Sequence, residues 1–564
     1  MSDLLIRDGD IVDGTGAPAR RGDIRVRDGR ILEIGASLVP DGEPEIDADG
    51  AVVTPGFIDT HAHTDPQVFW DPLLDPELLH GVTTMMVGNC SLSLYPATAV
   101  TRSEVADLFA YIEDVPRHLF DDHVPWTWSD FAGYRDAVNE IGTGINLAPL
   151  VGHSPIRLAV MGDDAWTRPA TTDEAAAMAA HLDASMSAGA WGLSTSFLDV
   201  DQHGRPVQSR AADGAEFDAL LDVLARHGRG VLEVVPNLLD GTAETEIEDL
   251  ARRCGPRGVP MTWTGFVHVD DLPELTQSWI DISTRVRDTG ARLYPQLSPR
   301  TVDFRLNWDS SMMFMSMPAG WHRIIAAEGA AAKAALLADP VWRAAAAAEW
   351  DRTEAAMFPH RALDKVRFVE VAGEENSPWL GRTLDELVAD RGGHPSDVFA
   401  DFVLANDCRP GIVAKGIAND DVDGIARTLA HPDVITSSSD AGAHVQMLCA
   451  SGDTTLLLTR HVRDRQDFSL EWAVHQLTGR QADIFGFAGR GVIAEGNVAD
   501  LAVFALDELH YDDDVFVHDL PGGGARLRRP EGGYRATIVG GVAVQLGGTA
   551  TGDRPAGVIS SADA

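Results

Sequence analysis

The sequence predicts an α/β chain built on a (β/α)8 TIM barrel, and three observations lead there. Eight short apolar runs, most of them ending in polar or reactive residues, have helical stretches between them, and both chain ends carry short apolar runs broken by Asp-Gly and Gly-Gly turns. Alternation of strand and helix marks an α/β fold. In a barrel the C-terminal ends of the strands build the site. A chain of 564 residues exceeds one ordinary core and accommodates a barrel with a smaller domain.

Near the start, Leu4-Leu5-Ile6, Asp10-Ile11-Val12, Asp23 to Val26 and Arg30-Ile31-Leu32 are separated by Asp-Gly and Gly-Thr-Gly turns. Asp-Gly between apolar runs signals a hairpin, so a small antiparallel β unit is expected. The first barrel run leads from Val52 through Pro55-Gly56 to His61-Ala62-His63. The others are Gly81 to Cys90, Ile145 to His153, Gly192 to Ser196, Gly230 to Val235, Pro260 to Thr264, Ala291 to Gln296 and Asp433 to Asp440. Thr171 to Glu174 caps a helix running to Ser187, and Glu216 to His227 forms another, with Gly228 beyond its end. Residues 300–430 are too long for a plain crossover and read as an insertion near the barrel mouth. It holds a helix from about Ala331 to Trp350 and the methionine-rich stretch Ser311 to Met317, read as packing ahead of pocket lining. Gly491 to Phe504 and Tyr534 to Val544 repeat the β pattern of the start, and the tail after Gly547 reads as loose.

His61 and His63 are i and i+2 on a strand end, so both imidazoles reach one point, and neutral imidazole is the commonest metal ligand. Asp440 ends the last strand, which neighbours the first in a closed barrel, and so faces the histidine pair. Glu233 is a lone acid in the apolar run Val231 to Val235, expensive to bury unless paired or functional.

Pro55-Gly56-Phe57-Ile58-Asp59-Thr60-His61-Ala62-His63 resembles the first-strand signature of the amidohydrolase superfamily. Gly491 to Phe504 and the late Ile538-Val539-Gly540-Gly541 are similar to the C-termini of that family. Gly88-Asn89-Cys90 and Val151 to Arg157 narrow the resemblance to the D-aminoacylase (N-acyl-D-amino-acid deacylase) branch. The resemblance implies that both chain ends join in one β-sandwich, residues 1–54 with 485–564, beside a barrel at 55–484. It implies His61, His63, Cys90 and Asp440 as metal ligands, with Asp440 also taking the proton of the attacking water. A thiolate beside imidazoles favours zinc. His153 and Arg157 match the branch: His153 lines the site or makes a structural hydrogen bond, and Arg157 binds a carboxylate bidentately or starts a helix. Glu233, Tyr294 and His444 join them as substrate-binding candidates. One departure stands out. The branch carries histidines ending strands five and six, where this chain places Val235 and Gly265, with Glu233 and His268 nearby. One zinc per chain is therefore expected.

The totals exclude other classes. A net charge of −41 opposes nucleic-acid binding and gives little attraction to anionic membranes. Met1 to Asp8 lacks the pattern of a signal peptide, and no apolar run reaches spanning length. Four cysteines without paired spacing fit a reducing, cytoplasmic setting. There is no Gly-x-Ser-x-Gly elbow for a serine hydrolase. The expected activity is metal-dependent hydrolysis of a C–N amide bond in a small molecule. The alternatives are another amidohydrolase reaction, on a cyclic amide, an unusual amide or a lactone, and a catalytically silent small-molecule-binding barrel. The implied partner is a small-molecule substrate; a homo-oligomer is left open.

Overall fold

The computed structural model describes residues 3–270, 272–309, 311, 314, 317, 320–352, 362–436 and 439–563. Strand Leu4–Ile11 runs antiparallel to Arg20–Arg27, which pairs with Arg30–Gly35 in a hairpin where Arg27 faces Arg30. The two turn residues, Asp28 (φ 49°) and Gly29 (φ 75°), both adopt positive φ, as a two-residue turn matched to strand twist requires. Strand Val52–Pro55 lies parallel to Leu4–Ile11 on one side and antiparallel to Leu501–Phe504 on the other. Ala536–Val539, Val542–Leu546 and Thr549–Ala550 continue outward, so strands from both chain ends share one nine-stranded sheet. Its core packs Leu4, Ile6, Ile24 and Val53 against Leu501, Val503 and Ile538.

Between these ends, parallel strands follow one another in chain order. Phe57–Asp59, Val82–Val87 and Asn146–Pro149 form one set, and Val151–Gly152, Gly192–Ser196, Val231–Val235, Pro260–Trp263 and Arg292–Pro295 form the next. Parallel bridges Gln296↔Ile435 and Ala62↔Ala441 place Ile435 beside the end of the seventh strand and Ala441 beside the segment after the first. Nearly every strand residue is buried, as expected of a parallel sheet covered by helices. Helix Thr172–Ser187 carries the expected capping box of Thr171 and Glu174, and Gly214–His227 ends in left-handed Gly228. Ile58, Met86, Leu150, Val231 and Ile435 pack with Phe485 and Phe487 in a separate apolar cluster.

The long segment after the seventh strand has its own core. Phe304–Arg305, Gly411–Ala414 and Val366–Glu370 form a three-stranded antiparallel sheet. Trp308, Trp321, Trp342, Trp350 and Phe399 pack together, with Met447 and Leu448 joining from beyond Asp440. Of the methionine-rich stretch, Met312, Met313 and Met315 lie outside the described residues; Phe314 and Met317 are buried in this core. The tail expected to be loose is not. Ala556 bridges Thr143 and Val558 bridges Leu147, while Trp191 Nε1 donates to the Ile559 carbonyl at 2.9 Å. Backbone pairing compensates the ordering entropy that its Gly/Ala-rich composition suggested would prevail. Among the described residues no helix is long and apolar enough to cross a membrane.

Candidate metal centre

The first strand delivers His61 and His63 to one side of an extended segment. The Ala62 amide donates to Met86 O at 3.0 Å and the His63 amide to Ala441 O at 2.6 Å, which holds the register. Asp59 fastens the segment to the eighth run. It accepts from the His61 amide at 3.1 Å and from the Ser439 hydroxyl. Burial raises its carboxyl to about 6 against these bonds.

Three donor atoms converge, from His61, His63 and Cys90, and a carboxylate stands beside them. His61 Nε2 and His63 Nε2 are 3.3 Å apart, and Cys90 Sγ lies 3.3 and 3.5 Å from them. Asp440 Oδ1 stands 3.6 Å from His61 Nε2 and 3.3 Å from His63 Nε2. Donors about 2.0–2.3 Å from a shared tetrahedral ion stand about 3.3–3.7 Å from one another, and the separations among His61, His63 and Cys90 match such edges, with Asp440 standing beside the two imidazoles. The donor set, two imidazoles with a thiol and a carboxylate, suits zinc. The histidine side chains are 1% exposed and Asp440 26%, which puts Asp440 on the open side of the cluster.

The backbone is held in unusual conformations here. Cys90 (φ 54°), Ser91 (φ 66°), Asp440 (φ 68°) and His444 (φ 48°) all sit in the left-handed region. Each costs about 1–3 kcal/mol in a non-glycine residue and persists only where surrounding structure enforces it. Gly88 precedes this turn at φ 80°, where a Cβ would stand 2.4 Å from Leu150 O. The Cys90 amide is anchored by Glu233 Oε2 at 2.9 Å.

Two buried glutamates stand behind the histidines. Glu233 Oε1 is 3.8 Å from His61 Nδ1, and Glu113 Oε1 is 3.2 Å from His63 Nδ1. Burial raises each carboxyl to about 8. Burial lowers His61 to about 3, leaving the neutral imidazole that a metal requires. Burial also opposes charge on His63, but Glu113 and Asp440 outweigh it and raise His63 to about 10. The Cys90 thiol is pushed well up by burial and the surrounding carboxylates, so ionising it calls for a cation.

Of the candidates from sequence, His61, His63, Cys90 and Asp440 come together, with Glu233 directly behind and His444 beside Glu113, its Nδ1 3.9 Å from Oε2. His153, Arg157 and Tyr294 do not join them. His153 Nε2 meets Glu216 Oε1 at 2.7 Å, and Arg157 is bound by Glu216 and by the carbonyls of Ala165 and Arg168. The carboxylate that Arg157 meets is thus this chain's own. Tyr294 packs among the apolar cluster of Ile58 and Phe485. Gln296, two residues further on, instead lies near His61, where it favours the charged imidazole against burial, and donates to Thr262 Oγ1 at 3.2 Å. His268 packs beside Asp421, 3.4 Å away. Sequence reasoning missed Glu113, Asp59 and Gln296. The strand period of two would have singled out Gln296 as the mouth-side neighbour of Tyr294; Glu113 closes an ordinary helix and carries no such signal.

Comparison with known proteins agrees with this geometry. Residues 44–545 match the Amidohydrolase family. An uncharacterised protein of Mycobacterium tuberculosis is 33% identical, over 97% of this chain and 92% of its own. The N-acyl-D-aspartate deacylase of Alcaligenes xylosoxydans xylosoxydans is 28% identical, over 100% of this chain and 96% of its own. The crystal structure of N-acyl-D-glutamate deacylase from Bordetella bronchiseptica, complexed with zinc and a phosphonate inhibitor, superposes with a TM-score of 0.66. It is 25% identical, over 99% of each chain. With a family match over most of its length and a metal-type donor cluster where that family's first strand ends, the chain belongs to the amidohydrolase family, in its D-aminoacylase branch: a metal-dependent hydrolase of carbon–nitrogen bonds that resembles the N-acyl-D-amino-acid deacylases.

Proposed function

We propose that the protein is a zinc hydrolase that deacylates N-acyl-D-amino acids, with one metal per chain held by His61, His63, Cys90 and Asp440. The observation that carries this reading is the convergence of the His61, His63 and Cys90 donor atoms at tetrahedral edge distances, with the Asp440 carboxylate beside both imidazoles. The solved N-acyl-D-glutamate deacylase, complexed with zinc, supports the choice of metal. The parallel strands and their two bridges support an eight-stranded barrel at residues 55–484 with an insertion at about 300–430. The shared nine-stranded sheet supports a β-sandwich domain of residues 1–54 and 485–564. Four free cysteines accord with a cytoplasmic location.

Zinc, when bound, acidifies water and polarises a carbonyl oxygen. Asp440, whose side chain is 26% exposed against 1% for the two histidines, accepts the proton of the attacking water at its carboxylate and returns it to the departing amine nitrogen. Glu233 holds the Cys90 turn through the Cys90 amide. Gln296 lies near the His61 ring, and His444 borders the same side of the centre as Glu113.

The test is a panel of N-acyl-D- and N-acyl-L-amino acids with aliphatic and acidic side chains, together with lactams and dipeptides, offered to the zinc-loaded protein. Free amine released from the D series alone is the expected result. Bound zinc without turnover of any N-acyl amino acid would refute the substrate class, and turnover confined to lactams would shift the reading to ring opening.

A further inference from the structure

We propose that Glu113 is a positioning residue that sets the metal-facing orientation of His63 and ties it to the loop bearing Asp440 and His444. The proposal rests on the metal reading above.

Helix Arg102–Ile112 closes at Glu113, whose amide returns to Phe109 O at 2.9 Å, and Asp114 then turns the chain at φ 53°. The turn places the Glu113 side chain, 2% exposed, behind the donor cluster. Oε1 stands 3.2 Å from His63 Nδ1, and Oε2 stands 3.9 Å from His444 Nδ1. One carboxylate therefore lies between an imidazole of the first strand and an imidazole of the loop beyond the eighth. Among the described residues these two histidines are its only ion-pair partners. A buried carboxylate is expensive unless it is paired, and the two rings are the partners this one has.

His63 Nε2 points into the cluster, so Nδ1 is the nitrogen left to the protein. A carboxylate at Nδ1 keeps the ring proton there, leaves the Nε2 lone pair for the metal and raises the ligand's basicity. The same two residues hold the loop through backbone and amide bonds. The Val445 amide donates to Glu113 O at 3.0 Å and Gln446 Nε2 to Asp114 O at 3.0 Å. Asn307 Nδ2, from the segment after the seventh strand, donates to Asp114 Oδ1 at 2.7 Å. The Glu113 carboxylate thus faces the rings, while the Asp114 carboxylate accepts from Asn307 and Gln446. Glu233 is placed differently: one oxygen is committed to the Cys90 amide, and the other is 3.8 Å from His61.

That division gives a test. Zinc affinity is measured by competition with a chromophoric chelator for the full-length wild type and for Glu113→Gln, Glu113→Asp and Asp114→Asn, with circular dichroism as the check on folding. Glu113→Gln is expected to bind zinc about ten- to a hundredfold more weakly. Glu113→Asp should give an intermediate loss, and Asp114→Asn should retain wild-type affinity. Tight zinc binding by the wild type with no weakening in Glu113→Gln overturns the proposal and leaves the metal site standing. Equal losses in Asp114→Asn and Glu113→Gln assign the effect to loop packing and also overturn it. A wild type that binds no zinc overturns the metal reading itself. If Glu113→Gln does not fold, Glu113→Asp carries the test, and unchanged affinity there is the overturning result.

Discussion

Replacing Glu216 with glutamine separates a buried structural network from the catalytic centre. His153 and Arg157 are one helical turn apart on helix His153–Met161 and face the same way. Both meet Glu216, in the first turn of helix Gly214–His227. His153, Arg157 and Glu216 are at most 1% exposed. In the variant Arg157 keeps its carbonyl partners Ala165 and Arg168, at 3.1 and 2.8 Å, but its charge loses its counterion. Removing one member of a buried ion pair costs about 3–5 kcal/mol, and the isosteric amide places the expectation near the lower end. The carboxyl gives an independent figure. Burial works against its charged form, but hydrogen bonds and charge from His153 and Arg157 outweigh that and bring it from 4.5 down to about 2. The difference is worth about 3 kcal/mol by linkage. Because the folded value lies below the unfolded one, this stabilisation is complete above about pH 4.5 and is lost as pH falls towards 2. Urea unfolding followed by tryptophan fluorescence at pH 7 should show the deficit, and it should shrink in acid. An unchanged unfolding midpoint with a raised KM would refute the reasoning and return Arg157 to the substrate site.

Asp440→Asn should lower kcat by about a hundredfold or more while circular dichroism stays unchanged; near-normal kcat would remove Asp440 as the base. Elemental analysis should find one metal in the wild type and one in Glu233→Gln, because Glu233 is committed to the Cys90 amide; two falling to one would make Glu233 a ligand. Cys90→Ala should bind zinc more weakly with little change in thermal stability of the metal-free protein, and unaltered affinity would take the thiol out of the donor set. Deleting residues 501–550 should strip Val52–Pro55 of its antiparallel partner and leave an open sheet edge that aggregates; a soluble, folded product would count against the shared sheet as a structural necessity.

Local chemistry explains what was legible in the sequence. The Asp28-Gly29 hairpin, the Thr171–Glu174 cap and the period of two that aligns His61 with His63 are written within a few residues of each other. Asp440 required one further idea, that the run it ends lies beside the first strand, and the Ala62↔Ala441 bridge puts the residue after Asp440 next to the His61–His63 segment. Glu113 was not legible because its role depends on where a helix end lands relative to a strand fifty residues earlier, and no periodicity encodes that. Arg157 misled for the related reason that a guanidinium looks the same in sequence whether its carboxylate is a ligand's or the chain's own. The ordered tail escaped because composition reports the entropy of a segment and not the strand edge that awaits it.

The sheet shared by the two ends has a consequence for biosynthesis. Strand Val52–Pro55 pairs with Leu501–Phe504, so a segment made near the start waits for one made near the finish. At about 5–20 residues per second, that interval is on the order of half a minute or more. Throughout it, the row of backbone groups that will meet Leu501–Phe504 stays unsatisfied on the nascent chain. Holdase chaperones that shield early β segments should therefore raise the yield of this protein more than those acting after release.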